Sequence, residues 1–260
     1  MQVQSLAYFR QMNRYFIEVS YNGKPYAGFQ IQENANTVQK EVETALYTFF
    51  RKPFFLTGSS RTDTGVHALQ NYFHFDSEDI LLLSSIYNLN SILPDSIVIK
   101  NILAVEATAH CRFDALSREY EYFIYQQKDP FLKDIAFYYP YNLKIELLEE
   151  AAEIVKRHAD FTSFSKRSTQ VKTFECTIQQ SRWSFKDNCI IYNVISNRFL
   201  RGMVRGLVAT MLQVGRGNIS TLDFEEIILA KDPSKANFAV PGHGLFLVKV
   251  KYPDAYFEQG

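Results

Sequence analysis

Only three cysteines occur in the 260 residues, Cys111, Cys176 and Cys189. Their number is odd and no two form a Cys-x-x-Cys pair. This excludes a disulfide framework and a zinc knuckle, and points to a reducing compartment. The five histidines show no His-x-x-x-His spacing, so no metal site is expected. Residues 1–13 lack a long apolar core, so no signal peptide is expected. No apolar run is long enough to span a membrane. These absences predict a cytoplasmic protein. Met12 stands just before the first strand-like segment. The residues upstream are then either a disordered tail or a misassigned start, with Met1 or Met12 as the true first residue.

Net charge is also missing, because 28 Lys and Arg balance 28 Asp and Glu. On average this argues against a nucleic-acid partner. The distribution argues the other way. Between Phe161 and Ser220 stand nine basic residues, among them Lys166, Arg167, Lys172, Arg198, Arg201 and Arg205, against only Glu175 and Asp187. Nine less two leaves +7 there, so the remainder carries −7. A basic stretch beside an acidic remainder suits a focused polyanion site, although a solvated charged face gives the same count.

What is present is 47% hydrophobic composition, enough for one large domain or two modest ones. Aromatics make up 15%, with 22 Phe and 16 Tyr. Alternation in Tyr15–Tyr21 predicts a strand, and Asn36 with Gln39 reads as a helix cap before the apolar stripe Val38, Val42, Ala45, Leu46, Phe49. Strand, helix and strand signals follow at Gln70–Asp76, Ile80–Leu93 and Ser96–Val105. A second series comprises strand Glu119–Tyr125, helix Ile145–His158, two strands within Glu175–Ser196, helices Phe199–Val214 and Leu222–Ala230, and strand Leu245–Tyr252. The pattern is α+β, two similar sheet-and-helix halves sharing a largely antiparallel sheet. The halves are 14–106 and 107–253, with tails at 1–13 and 254–260. No low-complexity linker separates them, and the boundary falls near Ala107–Ala115.

The most informative stretch is Arg61-Thr62-Asp63-Thr64-Gly65-Val66-His67-Ala68. In an extended chain Arg61 and Asp63 share a side, and a guanidinium beside a carboxylate keeps it ionised and aimed. Such a carboxylate can act as nucleophile or base. An Arg-x-Asp pair alone is usually a surface ion pair of little worth. Arg198, Arg201 and Arg205, three and four apart, would form one stripe on a helix. That helix is otherwise apolar nearly all round, so at least one of these arginines needs an anionic partner, and Asp63 is a candidate. Arg201 alternatively faces solvent.

The stretch resembles the Arg-Thr-Asp-Ala-Gly-Val-His-Ala signature of the tRNA pseudouridine synthases of the A type. Thr64 replaces the usual Ala and Ser60 the usual Gly, each adding a hydroxyl near Asp63. Phe199–Arg205 is similar to the family's Phe-x-x-x-Met-Val-Arg segment, and Arg118-Glu119-Tyr120-Glu121-Tyr122 to its Arg-x-Tyr-x-Tyr strand. Asp160–Phe164 and Gly244–Val248 also match. Tyr21-Asn22-Gly23 and Gly28-Phe29-Gln30 match with Asn for Asp and Phe for Trp. The likeness is collinear from Phe16 to Pro253.

The resemblance implies the pseudouridine synthase fold. It also implies isomerisation of uridine to pseudouridine at positions 38, 39 and 40 of the tRNA anticodon stem-loop, by a homodimer without a cofactor or metal. By the same match Asp63 is nucleophile or base, attacking sugar or base. Arg205 pairs with it, and Tyr120 stacks on uracil and helps remove the C5 proton. Arg61 contacts phosphate and takes the space of the flipped base, and Leu245 closes the pocket. Lys166, Arg167, Lys172 and Arg201 would hold tRNA. A non-catalytic RNA-binding module and a paralogous synthase on another RNA remain alternatives.

Overall fold

The computed structural model describes residues 12–81, 83–166 and 171–257. Its strands in chain order are β1 (Asn13–Tyr21), β2 (Thr57–Gly58), β3 (His67–Ser77), β4 (Ile97–Val105), β5 (Ser117–Tyr125), β6 (Phe137–Tyr138), β7 (Ile178–Lys186), β8 (Cys189–Ser196) and β9 (Leu245–Lys251). They form one sheet in the order β4-β1-β3-β9-β5-β8-β7, with β2 on β3 and β6 on β5. The main ladders are antiparallel. The exception at the centre is β3 against β9, parallel through only His67↔Phe246 and Ala68↔Leu247. That short seam joins strands from the first 105 residues to strands from the later chain.

β1 is more deeply buried than its alternation implies. Phe16 through Val19 are all buried, because both faces of this strand are covered. Glu18 tolerates the position by accepting from Gln70 Nε2 at 3.0 Å and Asn101 Nδ2 at 2.7 Å. The β7–β8 hairpin turns at Asp187 and Asn188, both at positive φ (49° and 63°), residue types that tolerate the left-handed region.

Helices α1 (Val38–Phe50), α2 (Ser85–Ile92), α3 (Ile145–Arg157), α4 (Met203–Gly215) and α5 (Thr221–Leu229) complete the fold. Three boundaries differ from the sequence reading. The cap of α1 is Thr37, not Asn36: its Oγ1 accepts the Lys40 N–H at 3.3 Å. Gln39 instead spends its amide on Glu43 and Leu56 O. α2 begins at Ser85 rather than Ile80 and stops before Pro94. α4 begins at Met203 because Gly202 before it has φ +76°. Arg198 and Arg201 therefore precede the helix, and the three-arginine stripe does not exist. Tyr256 and Phe257, placed in a C-terminal tail by the sequence reading, pack their rings on Phe16 and Tyr252.

Candidate active site

The segment 59–66 leaves β2 and enters β3 as a loop, held on several sides by backbone contacts. Phe29 N–H donates to Thr62 O at 3.1 Å, Gly65 N–H to Tyr26 O at 3.4 Å, and Ser59 N–H to Tyr72 O at 2.8 Å. Thr62 Oγ1 hydrogen-bonds Tyr21 Oη at 2.8 Å, and Asn71 Nδ2 reaches both Tyr21 Oη and Ser60 O. His67 fastens the far end. Its Nδ1 accepts Gly23 N–H at 3.1 Å, so Nε2 carries the proton and donates to His243 O at 3.1 Å. Burial lowers the pKa of His67, against the opposing pull of that carbonyl.

Two glycines allow the loop to sit this close to its neighbours. A Cβ on Gly23 would lie 1.8 Å from Val66 O, and one on Gly242 would lie 2.2 Å from Thr64 O. Both are backbone obstacles that cannot swing away. Gly23 comes from the first half of the chain and Gly242 from the segment leading into β9, so both halves shape the loop.

Exposure alternates through this loop: Arg61 is exposed, Thr62 buried and Asp63 half-buried. The ion pair of Asp63 is made with Arg205, Nη1 to Oδ2 at 3.4 Å. Arg61, the partner suggested by sequence spacing, forms no ion pair with Asp63 among the described residues. Arg205 is also anchored independently, donating from Nε at 2.9 Å and Nη2 at 2.6 Å to Val240 O. One guanidinium thus fixes the carboxylate, the first turn of α4 and the approach to β9.

Tyr120 is buried in β5, with its ring edge-on to Phe199 at 5.0 Å. Burial pushes its hydroxyl up to about 12; Arg118 opposes the shift and the nearby Asp63 charge adds to it. Tyr120 is therefore a neutral phenol at neutral pH. Leu245, at the start of β9, is buried opposite Tyr122, whose hydroxyl donates to Pro241 O at 2.9 Å. The loop before β3, β5 and α4 bring Asp63, Tyr120 and Arg205 together, and β9 sets Leu245 opposite Tyr122, two residues along β5 from Tyr120.

A family model described as tRNA pseudouridine synthase matches residues 157–253. A tRNA pseudouridine synthase A from Parabacteroides distasonis is 44% identical over 250 residues, covering 95% of this chain and 98% of that protein. Its counterpart in Azobacteroides pseudotrichonymphae is 42% identical over 95% of this chain and 100% of the relative. The Staphylococcus aureus protein of the same name is 36% identical over 91% of both. The chain belongs to the tRNA pseudouridine synthase A family. Its mixed architecture with one large, mostly antiparallel sheet agrees with the pseudouridine synthase fold.

Of the chain's four departures from the family's motifs, Asn22, Phe29 and Thr64 have local contacts, Asn22 Oδ1 accepting Lys24 N–H at 3.0 Å. Thr64 Oγ1 donates to Ala27 O at 3.0 Å. Phe29 is fully buried and stacked on Phe73 at 4.5 Å and 10°, a site where a phenyl ring leaves no indole N–H to satisfy. Ser60 Oγ is buried without a hydrogen-bond partner, and nothing in the structure explains it.

Among the basic residues, half-buried Lys166 lies along Gly202, and its N–H donates to Arg201 O at 2.9 Å; the Arg201 side chain is exposed. Lys172 is exposed nearby in sequence, while Arg167 lies outside the described residues.

One cluster was not legible in the spacing of histidines and cysteines. Side-chain donors of His74, His110 and Cys111 lie within 4.8 Å of one another. Hydrogen bonds account for the gathering. His74 Nδ1 meets Cys111 Sγ at 3.1 Å, Cys111 Sγ donates to Thr57 O at 3.1 Å, and His110 Nδ1 accepts Arg112 N–H at 3.2 Å. Burial pushes the Cys111 thiol up to about 12 and takes His74 down to about 4, with His110 and Arg14 adding to the second shift.

A folded-state value of about 4 against the ordinary 6.5 means that proton uptake by His74 favours the unfolded chain. Its contribution to stability is complete above about pH 6.5 and is lost as pH falls toward 4. The melting temperature is expected to decline more steeply across that window in the native protein than in His74→Gln. Parallel declines in a thermal-denaturation series would remove His74 as the cause.

Proposed function

We propose that this protein isomerises uridine to pseudouridine in the anticodon stem-loop of tRNA, at positions 38, 39 and 40. The observation that carries the reading is the Asp63–Arg205 ion pair, with Tyr120 and Leu245 beside it. A base within a stem must leave the stack before it can react, and in this reading the half-buried Asp63 receives the flipped nucleotide.

In the reaction the C1′–N1 bond of uridine breaks, the uracil turns, and a C1′–C5 bond forms. The C5 proton leaves and N1 gains one, so no net oxidation or reduction occurs. Asp63 supplies the carboxylate that opens the sequence, by attack at the sugar or addition to the base. Arg205 keeps it charged and aimed. Because Val240 O already holds that guanidinium, its placement is set before RNA arrives, which lowers reorganisation in the reaction. Tyr120 stacks on the uracil and can hydrogen-bond the leaving C5 proton's acceptor as a neutral phenol. Leu245 closes the pocket.

Arg61 contacts phosphate and fills the space left by the flipped base, and Lys166, Arg167, Lys172 and Arg201 hold the tRNA backbone. The halves 14–106 and 107–253 form the two walls of the cleft. In this reading the enzyme works in the cytoplasm as a homodimer, with one tRNA crossing both subunits. Sedimentation of a monomer at micromolar concentration would remove the dimer.

The test is incubation with an unmodified tRNA transcript tritiated at uridine C5. Release of tritium, mapped to the anticodon stem-loop, is the expected result. Tight tRNA binding without release would make the protein a non-catalytic RNA-binding module. Release mapped elsewhere would make it a synthase for another site.

A further inference from the structure

The turn between β4 and β5 brings residues without a role in the reading above against Arg61. Arg61, His110, Arg112 and Phe113 line one groove together with Thr57 and Gly58. Its volume, about 240 Å³, is below the roughly 300–1,000 Å³ of small-molecule sites. A groove of that size suits one base or one phosphate group rather than a cofactor.

Phe113 is 74% exposed in this groove, yet it is held in place. The His110 ring lies against it at 4.2 Å between centroids, and the Arg112 guanidinium sits 5.6 Å from its ring centre. The turn beneath is pinned by His110 N–H to Asp114 Oδ2 at 2.7 Å and Asp114 N–H to His110 O at 3.1 Å. A fixed aromatic face turned to solvent is a stacking platform.

The lining of the groove carries Arg61 and Arg112 and no carboxylate. Burial, followed by the positive charges of Arg61 and Arg198, lowers the pKa of Arg112. Among the described residues no ion pair is made by Arg61, Arg112 or Arg198. Arg118 ties the Arg198 segment to Arg112, donating from Nη1 to Asn197 O at 3.0 Å and from Nη2 to Arg112 O at 2.6 Å, so three guanidinium groups without an ion pair are set for a polyanion, with the planar fork that binds phosphate. Arg61 stands two residues from Asp63, so an anion bound along the groove would pass beside the Asp63 loop.

We propose that Arg112, Arg198 and Phe113, with Arg61, form a clamp for unpaired RNA beside Asp63. The arginines take the phosphates of the nucleotides flanking the target uridine, and Phe113 stacks on a neighbouring base. The inference rests on the isomerase reading for the identity of the target, but its contacts are those of RNA strand binding and can be measured apart from chemistry.

The experiment measures binding of a fluorescent anticodon stem-loop RNA to the full-length protein across a salt series, beside tritium release. Loss of two single-strand phosphate contacts should flatten the slope of log K against log salt by about 1.4. That change, with a higher KM and a nearly unchanged single-turnover rate at saturating RNA, is expected for R112Q/R198Q. The charge-keeping pair R112K/R198K should keep the native slope. Phe113→Ala should weaken binding on the order of tenfold with the slope intact.

Native affinity and slope in R112Q/R198Q, or native affinity in Phe113→Ala, would overturn the clamp. Wild-type protein that binds through these residues but releases no tritium would overturn the isomerase reading and leave the clamp standing. Wild-type protein that does not bind the RNA would overturn both.

Discussion

Asp63→Asn is expected to lower pseudouridine formation on the order of 10⁴-fold or more, a loss of the size seen when a catalytic unit loses its acting group. The substitution is nearly isosteric, so its effect on the fold should be small. Arg205 keeps both bonds to Val240 O after the carboxylate charge is gone, and the Asp63 contact it loses is a long one at 3.4 Å. The surrounding loop is fixed mainly by its backbone and by Thr62, not by the Asp63 side chain. Affinity for tRNA should hold or rise slightly, since a negative charge leaves the path of a polyanion. Single-turnover tritium release and RNA binding, measured on the same preparation, separate the two quantities. Comparable turnover by the variant and the native protein would refute Asp63 as the group that starts the reaction.

Gly242→Ala is expected to reduce kcat by about 10²-fold, although Gly242 offers no side chain to the reaction. Its new methyl would stand 2.2 Å from Thr64 O, so the loop must retreat by on the order of 1 Å, a displacement that can cost 10²-fold when reacting groups need alignment. Gly217→Ala is the contrasting variant. Gly217 has φ +73°, and its added methyl would meet only Lys144 Nζ at 4.0 Å. That change should cost about 1 kcal/mol of stability through backbone strain and leave kcat alone. If Gly242→Ala lowered only the melting temperature, as Gly217→Ala should, the tight approach would be packing and not positioning.

The site was legible in the sequence where chemistry and spacing coincide. The cost of a guanidinium in an apolar helix offers Asp63 as partner to one of three arginines, the family resemblance selects Arg205, and the structure joins the two. The same reasoning misplaced Arg198 and Arg201, because apolar periodicity from Phe199 onward looks helical whether or not the backbone is. Gly202 at φ +76° breaks the helix, and a glycine's backbone angle leaves no trace in a hydrophobic pattern. The ion pair of Arg61 with Asp63 was misjudged for a related reason: neighbours along a loop share a side but do not thereby share a partner.

The larger omission was Ala107–Ala115. Polar and mixed in sequence, it read only as a boundary, yet it holds the His110–Phe113 platform and the Cys111–His74 contact. Both depend on groups brought from β2 and β3, and neither element is near in sequence. The overall α+β sheet was legible because strand and helix periodicities are local. The parallel β3–β9 seam was not, since two residue pairs leave no pattern of their own.

The place of β9 also governs when this protein can become whole. Among the described residues it is the last strand in chain order, yet it lies in the middle of the sheet with β3 on one side and β5 on the other. Until Leu245–Lys251 leaves the ribosome, the nascent chain carries two open strand edges facing each other across a gap. Unpaired edges invite pairing with other chains. A chain cut short before Leu245 would therefore be a product prone to aggregation, not a weakened enzyme, and Asp63 meets its full set of neighbours only after β9 has been made.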